Sequence, residues 1–140
     1  MKQGGNPLAL MKTQGSVAEL FVAARLMELG WRVLFPFGEN SRYDLVVTRA
    51  DRFVRVQVKY VTPKKGALMV RCASSNNWST KSYTSDEIDC IAAYDSVHAK
   101  VYFLPIEKAN ATLVNLRLDP SKNRQVQGIQ HAHDFVDFPF

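Results

Sequence analysis

The stretch Tyr43-Asp44-Leu45-Val46-Val47-Thr48-Arg49-Ala50-Asp51-Arg52-Phe53-Val54-Arg55-Val56-Gln57-Val58-Lys59-Tyr60-Val61 decides how this chain folds. Residues 43–49 carry the apolar run Leu45, Val46 and Val47. Residues 53–61 alternate, with Val54, Val56 and Val58 on one face. Both segments read as strands. Ala50-Asp51 between them has the length of a tight hairpin. Because strand side chains alternate, Phe53, Arg55, Gln57 and Lys59 share the face opposite the valines. Gln57 and Lys59 then project together, about 7 Å apart at the roughly 3.3 Å rise per residue. The hairpin brings Asp44, at the start of the first strand, close to both. A carboxylate, a side-chain carbonyl and an ammonium converge on one spot. Hard oxygen donors of this kind suit Mg²⁺, and an ammonium beside them can hold or polarise a nucleophilic water.

Outward from this hairpin, residues 13–29 have helical spacing, with Val17, Leu20, Phe21 and Ala24 on one stripe and Gly30 as the stop. Residues 1–12, with Gly4-Gly5-Asn6-Pro7, read as a flexible arm. Further strands are expected at 31–35, ended by Pro36, and at 68–73, after the turn Thr62-Pro63-Lys64-Lys65-Gly66. A polar loop over 74–83 and the acidic Asp86-Glu87 precede two apolar runs, 88–94 and 101–104. A short helix is expected within 106–112 and a polar, extended tail over 120–140. One helix followed by a mixed sheet is an α/β or α+β arrangement, and 140 residues fit a single domain over 1–140.

Composition bounds the function classes. The chain is 46% hydrophobic and 22% charged, as a globular protein with a core should be. No run approaches the roughly 18 apolar residues of a membrane helix, and the first residues lack the apolar centre of a signal peptide. No membrane partner and a cytoplasmic location are expected. Cys72 and Cys90 lack disulfide or zinc spacing and read as buried apolar residues. His131 and His133 sit in the polar tail and read as solvated side chains. The net charge is +5, and residues 1–70 carry eleven Lys and Arg against five Asp and Glu. A basic half of this kind fits a polyanionic partner.

The helix, then Tyr43-Asp44, then Gln57-Val58-Lys59 resemble the PD-(D/E)XK nuclease superfamily, in its variant with glutamine at the acidic position. Pro36-Phe37-Gly38-Glu39-Asn40-Ser41-Arg42-Tyr43-Asp44-Leu45-Val46 is similar to the group I intron-associated homing endonucleases of that superfamily. So are Lys81-Ser82-Tyr83-Thr84-Ser85-Asp86-Glu87-Ile88-Asp89 and Lys100-Val101-Tyr102-Phe103-Leu104-Pro105. The resemblance covers residues 13–106. It implies a restriction-endonuclease-like core with the N-terminal helix packed on a mixed β-sheet. It implies a Mg²⁺-dependent, site-specific endonuclease of double-stranded DNA that works as a homodimer or homotetramer. Asp44 matches the metal-binding aspartate, Gln57 the second ligand, Lys59 the catalytic lysine, and Glu19 the glutamate many members carry on the first helix. The Val58 carbonyl completes the implied metal set.

Arg42, Lys64, Lys65, Arg71 and Lys81 are expected to meet phosphates, which position DNA without reading it. The loop with Asn76, Asn77 and Trp78 either reaches a groove through its amides or is a polar surface loop anchored by Trp78. Two other readings share the motif. One is a Holliday-junction resolvase. The other is a DNA-binding module that kept the fold and lost catalysis, which the uncharged Gln57 keeps open.

Overall fold

The computed structural model describes residues 5–75, 78–119 and 129–140. Helix α1 (Pro7–Glu28) opens with Asn6, whose side chain accepts from the Leu8 amide at 3.0 Å. Pro7 follows as the first helical residue, where its missing N–H costs nothing. The arm expected over 1–12 therefore gives way to helix at Pro7. Asn6-Pro7 breaks a helix from within but starts one from its end.

Of the stripe expected to pack, Val17 rests against the core and Phe21 stacks on Tyr94 at 4.6 Å, but Leu20 and Ala24 face solvent. Ala18, Val22, Ala23 and Leu26 are buried, while Leu20 is 66% exposed. The helix is apolar on two sides, so spacing alone does not choose between them.

Strands β1 (Arg32–Leu34), β2 (Leu45–Arg49) and β3 (Arg52–Val61) form an antiparallel run, with Arg49 opposite Arg52 across the Ala50-Asp51 turn. Ala50 takes a left-handed φ of 53° to close it. Strands β4 (Ala67–Arg71), β5 (Ala73–Ser75), β6 (Thr80–Ser82), β7 (Cys90–Asp95), β8 (Lys100–Pro105), β9 (Leu113–Arg117) and β10 (Gln130–His131) follow. The main sheet has the order β1-β2-β3-β7-β8, antiparallel except for the β3–β7 pair. Its interior strand β7 is buried along its whole length, as a strand covered on both faces must be. A second sheet, β10-β9-β4, lies on the other side, and β5 pairs with β6 in a small hairpin.

Two cores result. Val54, Val56 and Val58 join Ala18, Val22 and Leu26 between α1 and the main sheet. Ile91, Ala93, Tyr102 and Leu104 join Leu68, Val70, Val114 and Leu116 between the two sheets. This is an α+β fold with the N-terminal helix on a mixed sheet. No helix of the described residues is long and apolar enough to cross a membrane.

Cys72 and Cys90 are buried free thiols, and burial pushes the Cys72 thiol up to about 11. The expected loop over 74–83 contains the β5–β6 hairpin, and the expected helix within 106–112 is a single 3-10 turn, Ile106–Lys108. Strand β9 was not expected. The described part of the tail is packed: the Phe138 ring lies 5.1 Å from Trp31 and 5.0 Å from Phe103. Those rings close the edge of the helix-side core, which polar neighbours in sequence conceal.

Candidate active site

The site forms where β2 stops pairing with β3. The ladder ends at Leu45 opposite Val56, and the Asp44 amide makes one more bond, to the Val56 carbonyl at 2.9 Å. Asp44 and Leu45 thus both face Val56, and Asp44 lies beyond the last ladder pair. The Asp44 side chain then takes over from the backbone, its Oδ2 accepting from the Val58 amide at 2.7 Å. The amide and carbonyl of one strand residue point to the same side. The Val58 carbonyl therefore emerges on the edge where Asp44 sits.

Glu19 arrives from α1. It is flanked by the buried Ala18 and Val22, so packing of the helix fixes its backbone against the sheet. Its carboxyl meets that of Asp44. Burial pushes Glu19 up to about 7, with the neighbouring Asp44 carboxyl adding to the effect. Burial also raises Asp44, against the opposing pull of the Val58 amide and the Lys59 ammonium. Two half-buried carboxyls brought together favour a shared proton or a cation between them.

Lys59 stands on the face of β3 that Gln57 shares. Its Nζ donates to the Tyr83 hydroxyl at 3.1 Å and lies 5.0 Å from that ring's centroid. Among the described residues no cluster of three or more His, Cys, Asp or Glu forms a metal centre. Glu19, Asp44, the Gln57 amide oxygen and the Val58 carbonyl are all hard oxygen donors, a set whose chemistry fits Mg²⁺.

A family model described as PD-(D/E)XK endonuclease matches residues 10–138. The chain belongs to the PD-(D/E)XK endonuclease family. Among solved structures, the bacterial homing endonuclease I-Ssp6803I has the same fold, with a TM-score of 0.72 and 23% sequence identity over 89% of this chain and 86% of that one. No curated protein matches.

The basic residues named from the sequence differ in how they are held. Lys64 and Lys65 are exposed on the turn between β3 and β4. Arg71 is exposed and donates to the Ser75 hydroxyl, and Lys81 lies 3.6 Å from Glu87. Arg42 is tied down. It pairs with Glu87, donates to the Ser74 hydroxyl and the Ser82 carbonyl, and stacks over Tyr83 at 4.3 Å. Trp78 is 93% exposed, so it is not an anchor folded into the core. Asn76 and Asn77 lie outside the described residues.

Three positioning residues escaped the sequence reading. Tyr83 is buried and touches both Lys59 and Arg42. Arg55, on the Gln57 face, pairs with Asp89 at 3.0 Å and donates to the Ser85 and Asp86 carbonyls. This clamp holds the 85–89 segment beside the site. A strand arginine and an isolated aspartate 34 residues apart carry no local signal of their pairing.

Proposed function

We propose that this chain is a Mg²⁺-dependent, site-specific endonuclease of double-stranded DNA, of the homing type, acting in the cytoplasm. The observation that carries the reading is the convergence of Glu19, Asp44 and Lys59 where the Val58 amide fixes the Asp44 carboxyl. Asp44, Gln57 and the Val58 carbonyl would hold the cation, with Glu19 supporting it. When bound, Mg²⁺ supplies positive charge against the phosphate oxygens and favours ionisation of a water.

The chain's own residues do the rest. The Val58 amide occupies one lone pair of Asp44 Oδ2 and sets the carboxyl plane. Lys59 offers an ammonium that orients the attacking water or neutralises charge developing on the phosphate. Tyr83 restrains that ammonium, so it reaches the phosphate from one direction. Lys64, Lys65, Arg71 and Lys81 are exposed cations that the DNA backbone would meet.

One compact site cuts one strand. A double-strand break then calls for two copies, as a homodimer or as a homotetramer of paired dimers.

The test is cleavage of plasmid, linear duplex and four-way junction, each with and without Mg²⁺. Cutting of duplex only in Mg²⁺ supports the proposal. Junction-selective cutting makes the chain a resolvase. Binding with no cutting of any substrate makes it a DNA-binding module, the alternative that the uncharged Gln57 keeps open.

A further inference from the structure

Arg42 stands on the loop that ends at Asp44, and each of its three side-chain nitrogens is committed. Nη1 donates to the Ser74 hydroxyl on β5, Nη2 donates to the Ser82 carbonyl on β6 at 3.3 Å, and Nε faces the Glu87 carboxylate. The planar guanidinium fork suits three such acceptors at once, where an ammonium does not. Its carbon lies 4.3 Å from the centroid of the Tyr83 ring. Tyr83 follows directly after β6, and the next residue, Thr84, donates to Glu87 from its amide and its hydroxyl. Arg42 therefore grips the chain on both sides of Tyr83 and covers the ring itself. Tyr83 is buried, and its hydroxyl accepts from Lys59 Nζ at 3.1 Å. These contacts run without a break from the hairpin to Arg42, to Tyr83 and to Lys59.

We infer that Arg42 and Tyr83 are positioning residues through which the β5–β6 hairpin sets Lys59, so that duplex DNA seated on the hairpin governs the rate of cutting. Three observations carry this. Among the described residues β5 and β6 pair only with each other, so the hairpin can tilt without breaking either sheet. A two-stranded ribbon is a shape the major groove admits, and Lys81 on β6 and Arg71 just before β5 are exposed cations for the flanking phosphates. Lysine is a point charge on a flexible four-carbon stem, so its direction must come from a partner. Tyr83 supplies that direction and sits where a tilt of the hairpin is felt. Arg42, held by these partners, is not free to meet a phosphate itself. A duplex that seats the hairpin well aligns Lys59. One that seats it poorly meets the same backbone cations and leaves Lys59 misdirected. Discrimination between sequences then appears in the rate of the bound complex, as in induced fit, more than in affinity.

The effect on cleavage rests on the nuclease reading, while the link from hairpin to Lys59 rests on the contacts alone. The test sets single-turnover cleavage at saturating DNA beside affinity measured in Ca²⁺. Its substrates are the duplex the parent cuts fastest from a pool of random inserts, and that duplex with single base pairs exchanged. Tyr83→Phe keeps the ring under Arg42 and removes only the hydroxyl. Its rate on the preferred duplex should fall roughly 10- to 100-fold, the scale of a misplaced catalytic group, with the dissociation constant unchanged. Arg42→Lys keeps the charge but cannot bridge the three acceptors, and should act the same way. In both variants the ratio of rates between preferred and exchanged duplexes should shrink. In a Lys59→Ala background Tyr83→Phe should cost nothing further, because its effect passes through the ammonium. An equal loss in both backgrounds overturns the inference, and so does a Tyr83→Phe protein that keeps the parent's rate or loses affinity alone. A second readout needs no DNA. Ser74→Ala releases one arm of Arg42 on the hairpin and should shift or broaden the nitrogen-15 signal of the Lys59 ammonium, identified by its loss in Lys59→Arg. An unmoved signal overturns the coupling. A parent that cuts no substrate but shows this shift removes the nuclease reading and leaves the coupling standing.

Discussion

Asp44 accepts from the Val58 amide at 2.7 Å, and this contact makes a carboxylate part of the sheet's hydrogen-bond ladder. The bond serves the fold and the chemistry at once, and substitution separates the two. Asp44→Asn keeps a side-chain oxygen that can accept from Val58, so urea unfolding should show little loss of stability. Asp44→Ala leaves the amide without its acceptor and should cost roughly 1–3 kcal/mol. Both should be inactive. Equal stability losses for the two would show that the Asp44–Val58 bond does not support the strand edge.

Gln57→Glu tests whether position 57 faces the cation. A third carboxyl should bind Mg²⁺ at least as tightly as the parent does, measured by titration calorimetry. Weakened binding in a protein with unchanged circular dichroism would remove Gln57 from the ligand set.

The Glu19–Asp44 contact predicts that a divalent cation stabilises the protein. A ligand present at 100 times its dissociation constant adds about 2.7 kcal/mol, so Ca²⁺ or Mg²⁺ should raise the melting temperature by several degrees. Glu19→Gln removes one of the two crowded carboxyls. That variant should be at least as stable as the parent without cation and gain less when cation is added. A parent whose melting temperature ignores both ions contradicts the proposed donor set.

The basic residues should divide by how they are anchored. Lys65→Glu should weaken binding to every DNA sequence and flatten the slope of log affinity against log salt by about one unit. Arg42→Ala should instead lower the melting temperature, because Arg42 holds Glu87, Ser74 and Tyr83 together. Fluorescence anisotropy at several salt concentrations, in Ca²⁺ to suppress cutting, measures the first effect. An unchanged slope for Lys65→Glu would take the β3–β4 turn away from the DNA.

The strand half of the site was legible because its signals are local. Period-two alternation puts Gln57 and Lys59 on one face, and the two-residue turn brings the start of β2 back beside β3. Packing decided the rest. The helix presents two apolar sides, and only contact with Val54, Val56 and Val58 buries Ala18, Val22 and Leu26 instead of Leu20. Strand β9 carries a local signal too, since Val114 and Leu116 alternate with Asn115 and Arg117. Tyr83 and the Arg55–Asp89 clamp carried none, because their partners lie 24 and 34 residues away in sequence.

The most direct measurement is cleavage in Mg²⁺ of pooled supercoiled plasmids with random inserts, by the parent and by Lys59→Ala. The account predicts cutting by the parent that depends on Mg²⁺. It predicts that Lys59→Ala slows cutting roughly 100-fold or more, the scale of a lost proton-transfer or water-positioning group, while DNA binding stays near the parent's. Lys59→Ala cutting at the parent's rate, or a parent that cuts equally well without Mg²⁺, would contradict it.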